Sequence, residues 1–389
     1  MSLKFHWFLP TQGDGRGLIE NGHAPPAGVA GGLREASVAY LTRVATAAED
    51  LGFEAALTPT GGWCDDAWVV TAMLAETSER LKFLVAFRPG MVSPTLAAQM
   101  AATFQWHSGG RLLLNVVTGG DAAEQRAFGD FLEKDQRYQR TAEFLEIVRR
   151  LWAGETVDYD GRHLQVEGAT IHRLPDPRPE LYFGGSSPAG IEVAASHVDV
   201  YLTWGEPPAA VAEKIERVRS AAADRGRELR FGIRLHTISR DDSAAAWAQA
   251  ERLLDSVSAE TIAQVQAKLG RSESEGQRRM LDLHGGSRND LEVSPNLWAG
   301  VGLGRGGAGT ALVGSHAEVA ERIEEYAEVG ISEFVLSGYP HLEELYWFGE
   351  GVLPQLERKG LWTPPGRDRV VSSGGREGTA VPFAVGADR

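Results

Sequence analysis

Short apolar, β-branched or aromatic runs recur along the chain, and stretches with apolar residues at helical spacing separate them. That alternation of period two and period 3.6 predicts βα units around a parallel sheet. The strands fall at Leu3–Leu9, Glu54–Thr58, Lys82–Arg88, Leu112–Val117, Leu181–Gly184, Val198–Thr203, Arg230–Thr237 and Glu333–Ser337. Several helices carry their own start and stop signals. Ser93-Pro94 reads as an N-cap followed by proline at the first helical position; Ser315 with Glu318 reads as a capping box ahead of Val319, Ile323 and Tyr326, and Gly330 stops that helix. A further helix carries Phe144, Ile147, Val148 and Leu151, and another Val211, Ile215, Val218 and Ala222; these stripes are faces for packing on a sheet. Eight strands, each followed by a helix, predict a TIM (β/α)8 barrel over residues 1–364, with the chemistry at the carboxyl ends of the strands.

Three segments interrupt the alternation. Residues 155–180, with a hairpin turn suggested by Val157 to Gly161, predict a small surface insertion. Residues 259–300 are polar and rich in Ser, Arg, Gln and Gly, and a connection of that length predicts a mobile lid. Residues 365–389, rich in Gly, Ser and Arg, predict a flexible tail.

Composition narrows the function classes. The 389 residues, 43% hydrophobic and 24% charged, are those of a globular protein. No apolar run approaches the ~20 residues that span a bilayer, and the first residues lack a secretory pattern, so the expected location is the cytoplasm. The single cysteine, Cys64, excludes an intramolecular disulfide and a thiolate-rich metal centre; no metal is expected. A net charge of −14 argues against nucleic acid and anionic lipid as partners, so an anionic substrate must be met by local arginines.

Polar groups collect at the proposed strand ends: Thr11, Thr60 with Cys64, Arg88, Asn115 with Thr118, Ser186 and Ser187, Trp204, Arg234 with His236, and Tyr339 with His341. Gly304 to Gly309 matches G-x-G-x-x-G but follows the polar stretch Ser294-Pro-Asn-Leu-Trp rather than a buried strand, which argues against a dinucleotide site. The run Gly184 to Pro188 departs from a nucleophile elbow because Pro188 stands where glycine is needed. The same run places Ser186 and Ser187 at a helix start, where amides and dipole favour a phosphate. Cys64 lies before a helix whose amino end could lower a thiol pKa, although a lone cysteine is commonly structural. Arg234 and His236, two apart on one strand, project to the same face, and an inward arginine demands a partner or an anion. His197 precedes a strand and reads as structural.

Taken together, the segments beginning Trp7-Phe-Leu-Pro-Thr, Asn115-Val-Val-Thr-Gly, Tyr182-Phe-Gly-Gly-Ser-Ser, Tyr201-Leu-Thr-Trp-Gly-Glu, Phe231-Gly-Ile-Arg-Leu-His, Arg305-Gly-Gly-Ala-Gly and Ser337-Gly-Tyr-Pro-His resemble those of the reduced-flavin-dependent alkanesulfonate monooxygenases, within the luciferase-like superfamily. The resemblance runs from the first residues to about Gly360. It implies a homo-oligomer and a two-component system in which a separate NAD(P)H-dependent reductase supplies reduced FMN. The implied reaction takes an alkanesulfonate and O2 to an aldehyde and sulfite. It also implies an active site of Cys64, Trp204, Arg234, His236, Arg305, Tyr339 and His341, and flavin contacts at Asn115, Thr118, Tyr138, Ser186 and Ser187. One departure is Gln12, where the related sequences commonly carry histidine.

A sulfonate is a permanent anion with three oxygens and suits the fork of an arginine, so Arg305, with Arg88 or Arg234, is the expected partner, and Arg271 in the lid a further substrate contact. With an ordinary pKa of ~6.5, His236 is the expected base and Arg234 the stabilising cation. A neighbouring reading is oxidation of methanesulfonate or a dialkyl sulfone; a reading from another class is a flavin-binding sensor without turnover.

Overall fold

The computed structural model describes residues 2–19 and 34–365. Eight parallel strands close into a ring: β1 (Lys4–Phe8), β2 (Ala55–Thr58), β3 (Lys82–Phe87), β4 (Leu112–Val116), β5 (Glu180–Phe183), β6 (Val200–Trp204), β7 (Arg230–Arg240) and β8 (Glu333–Ser337). Each pairs with its successor, and β8 returns to β1. This is a TIM barrel, and all eight expected strands are in it.

Alternation along each strand builds two apolar layers. Phe8, Leu57, Leu84, Leu113, Tyr182, Leu202 and Val335 meet inside the ring, while Phe5, Trp7, Phe83, Val85, Leu114, Phe183, Ile233 and Phe334 face the surrounding helices. The helices begin where the sequence marks them. Ser93 accepts from Leu96 N–H at 3.2 Å ahead of Pro94, and Ser315 and Glu318 form the capping box, each cap contributing ~1 kcal/mol. On helix Lys134–Trp152, Phe144, Ile147 and Leu151 are fully buried, each worth about 1.5–3 kcal/mol relative to exposure.

The amino-terminal end of the ring is closed by polar groups. Glu333, at the start of β8, is fully buried; it accepts from His6 Nε2 at 3.0 Å and the Tyr182 hydroxyl at 2.8 Å, and Arg230 Nε lies 3.2 Å away. Arg230 also reaches Glu180 at 2.8 Å. These strands are thus tied by charge below the apolar layer.

The pattern of residues missed part of the architecture on the far side of β7. That strand outruns the ring: beyond His236 it pairs in parallel with a strand at Ala311–Ser315, which in turn continues antiparallel through Leu297–Trp298 to Glu292–Ser294. The polar stretch 259–300 holds two helices, Ala259–Leu269 and Glu275–His284, capped by Ser258 and Ser274. The segment 155–180 carries the expected hairpin, Val157–Asp160 against Gln165–Ala169, outside the ring. The flexible tail expected at 365–389 lies, from residue 366 onward, outside the described residues.

Candidate active site

Five sequence-predicted residues converge where β7 passes out of the ring and β8 ends. Arg234 points inward: its guanidinium carbon sits 5.0 Å from the Phe8 ring centre, and it donates to Leu235 O at 2.6 Å, Val335 O at 3.3 Å and Ser337 Oγ at 2.8 Å. Among the described residues no carboxylate forms an ion pair with it. Burial first, and then the neighbouring Arg305 cation, bring its pKa down to about 9, with Tyr339 opposing.

His236 stands two residues on, its ring 5.2 Å from that of Tyr339. Its Nε2 lies 3.0 Å from Ala308 O, and a carbonyl only accepts, so that nitrogen carries the hydrogen. Its Nδ1, 2.7 Å from Ser337 Oγ, therefore accepts. Burial and the cations Arg234 and Arg305 hold its pKa well below the ordinary value. With both nitrogens committed to protein, the ring lacks the open lone pair that the expected base would use.

Arg305 comes from the glycine loop that leads into the strand Ala311–Ser315, and it donates to the Tyr339 hydroxyl. Since that oxygen accepts, Tyr339 keeps its own proton for another partner. His341 is fully buried, with its ring 5.5 Å from Phe8 in a stack and 5.4 Å from Tyr339 edge on. Its amide donates to both oxygens of Asp14 at 3.0 Å, and Tyr40 donates to the same carboxylate, which locks the loop after β1 against the loop after β8. Asp14 and Tyr40 carried no motif signal. Ser337 opens the Ser337-Gly-Tyr-Pro-His segment, but only alternation with Glu333 and Val335 marks it as inward.

A second grouping lies round the ring at β5 and β6. Tyr138, Gly184, Gly185, Ser186 and Trp204 line one pocket, which Ser274, Glu275 and Gly276 cover from the 259–300 segment. Ser187 caps helix Pro188–His197, its oxygen accepting from Gly190 N–H at 3.2 Å, so its amino end opens on this corner. The cover is tight: a Cβ on Gly276 would come within 3.2 Å of the Trp204 ring. The covering segment is tied down by Glu273 to Arg137 at 2.9 Å and by Arg279 to buried Glu206 at 2.7 Å, which also holds Lys214. Asn115 and Thr118 sit half-buried at the end of β4, the strand beside β5. Ser258 and Ser274 as N-caps, with Ile262, Val265 and Leu269 at helical spacing, were the available signals for this cover.

Other expected residues stand apart. Arg88, past the end of β3, is across the ring from β7; it pairs with Glu124 at 2.7 Å and packs on Phe128. Arg271 is exposed after helix Ala259–Leu269. Cys64 is half-buried, with Sγ 3.7 Å from Gly61 O. Burial chiefly, with Asp65 and Glu124 nearby, pushes its pKa up to about 12, against a lowering hydrogen bond from Thr11, so the helix end does not produce the lowered thiol pKa that the sequence suggested. At pH 8 iodoacetamide is therefore expected to alkylate Cys64 much more slowly in the folded protein than after unfolding in urea. Equal rates would show that the thiol is not held protonated.

Comparison with known proteins now bears on this arrangement. A luciferase-like monooxygenase profile matches residues 3–333. The chain belongs to the luciferase-like monooxygenase family. Its fold is similar to a riboflavin lyase solved with modified FMN and riboflavin (TM-score 0.78, 21% identity, 96% of each chain). It is also similar to a long-chain alkane monooxygenase (0.76, 18%, 93% of each). A third likeness is to the EDTA monooxygenase of Chelativorans sp. BNC1 (0.73, 17%, 94% of this chain and 96% of that one). Among the described residues no helix is long and apolar enough to cross a membrane, and no group of three or more His, Cys, Asp or Glu is placed to hold a metal.

Proposed function

We propose that this family member is the oxygenase of a two-component system, using FMN reduced by a separate NAD(P)H-dependent reductase to convert an alkanesulfonate and O2 to an aldehyde and sulfite. The observation that carries the reading is Arg234: a buried guanidinium hydrogen-bonded to neutral oxygens, with no carboxylate partner among the described residues and with the Arg305 charge nearby. A like charge nearby and burial both cost Arg234 free energy, and an anion set against its guanidinium relieves both. A sulfonate does this with three oxygens; an uncharged sulfone does not.

The residues present fit a flavin phosphate at the second pocket. Tyr138 and Ser186 offer hydroxyls there, and the helix that Ser187 caps offers its first-turn amides and the positive end of its dipole. Asn115 and Thr118 would meet the ring system, with Trp204 as a wall. When bound, reduced FMN supplies the electrons by which one oxygen atom enters the substrate and the other leaves as water. The chain's part is to hold the anion at Arg234 and Arg305, to offer the Tyr339 proton, and to keep water out with residues 259–300 acting as the lid.

Sulfite release from C1 to C10 sulfonates supplied with reduced FMN and O2 is the test. Release from the longer chains is expected, and release from methanesulfonate alone would favour the neighbouring reading. Absence of sulfite from every sulfonate would favour a sensor without turnover. Equilibrium titration is further expected to show tighter binding of reduced than of oxidised FMN; a purified yellow protein with one non-exchanging FMN would contradict the two-component reading.

A further inference from the structure

Ser337 is fully buried at the last position of β8 and faces the ring interior. Its single hydroxyl has two neighbours whose roles can be deduced. Arg234 Nη2, 2.8 Å away, can only donate. His236 Nδ1, 2.7 Å away, has no hydrogen to give, because Nε2 spends it on Ala308 O. The serine must therefore accept from the arginine and donate to the histidine, and each of its two bonds fixes the direction of the other.

Resting on the proposed function for its activity arm, we infer that Ser337 is the positioning residue that couples the protonation states of Arg234 and His236. The hydroxyl hydrogen caps the lone pair of His236 and so favours the neutral ring. The oxygen accepts from Arg234 and so favours the charged guanidinium. Were His236 to gain a proton at Nδ1, the serine would have to turn its hydrogen away and receive two donors from two cations. Of the groups that face this trio from the packed elements, Arg305 from the glycine loop and His341 from the segment after β8 favour a neutral His236; Arg305 opposes the charge on Arg234 and Tyr339 supports it, and Phe8 from β1 closes the remaining side. One serine oxygen thus keeps the anion-binding cation charged and its neighbour neutral over the widest pH range.

Removing the hydroxyl has two consequences of opposite sign. Arg234 loses an acceptor, so its deprotonation moves to lower pH. His236 loses the donor on its lone pair, so its protonation moves to higher pH. In Ser337→Ala the two limbs of the pH profile of sulfite release should each move inward by roughly one pH unit. Ser337→Thr, which retains the hydroxyl, should return them outward. A residue that served packing alone would lower the whole profile without moving its limbs.

The second arm needs no turnover. In protein labelled with 15N at histidine, with His236→Asn used for assignment, wild type should show His236 as the Nε2–H tautomer with a hydrogen-bonded Nδ1. In Ser337→Ala the Nδ1 resonance should move towards that of a bare imidazole nitrogen, with circular dichroism unchanged. An Nδ1–H tautomer in wild type, or an Nδ1 resonance and pH limbs unmoved in Ser337→Ala, overturns the coupling. If no sulfonate is turned over by wild type, the proposed function falls, and the nitrogen resonances still decide the role of Ser337.

Discussion

Arg234→Lys is expected to lose turnover by about 10²- to 10³-fold, although the charge is kept. The guanidinium of Arg234 spreads its donors over Leu235 O, Val335 O and Ser337 Oγ, and a planar fork can do so while still presenting a face to an anion. An ammonium is a point donor on a flexible stem. In the space above Phe8 it either satisfies the strand carbonyls or meets the substrate. Arg234→Ala should lose at least as much, because it also removes the charge. Sulfite release at saturating substrate is the measurement; near-normal turnover in the lysine variant would show that fork geometry is unimportant here.

The second large effect lies at the opposite end of the ring. Glu333→Ala is expected to cost about 3–5 kcal/mol of stability, read as a fall in the urea midpoint. The loss comes from leaving Arg230, His6 and the Tyr182 hydroxyl below the apolar layer without their common acceptor. Burial alone would raise the Glu333 pKa, but the hydrogen bond from His6 and the charges of His6, Arg230 and Lys4 overcome it and hold the group at about 2. Because that value is below the ordinary 4.5, the carboxylate contributes stability that is fully present above about 4.5 and is lost as pH falls through 4.5 towards 2. Glu333→Gln should cost less than the alanine variant and should flatten the acid dependence in that window. An unchanged midpoint in Glu333→Ala would mean that the network is not a source of stability.

The ring itself was legible because its signals are local. Strands such as Lys82–Phe87 alternate between two buried faces and are bounded by turn residues, and Ser93-Pro94 and Ser315 announce their helices chemically. The site was legible only where residues share a strand, as with Arg234 and His236, or where a resemblance supplied them. Ser337 and Asp14 became important through contacts with residues about 100 and 327 positions away, Ser337 with His236 and Asp14 with His341, and no local period encodes such a distance. The strand Ala311–Ser315 was lost because it follows a glycine loop and runs straight into the Ser315 capping box, so that it reads as a connection. The two helices between 259 and 300 were lost because they are mostly polar, with Ile262 and Met280 among the few residues that bury. Arg88, expected from its place at the end of β3 as a substrate contact, is paired with Glu124 across the ring from β7.

Because β7 continues beyond the closed ring, the loop of Arg305 leads into a strand that pairs with that extension and lies outside the ring. The eight-membered hydrogen-bond circuit closes between β6, β7 and β8 before Ala311 joins at His236. The two neighbouring arginines are thus anchored unlike each other, Arg234 on a strand of the circuit itself and Arg305 on a loop whose strand lies outside it.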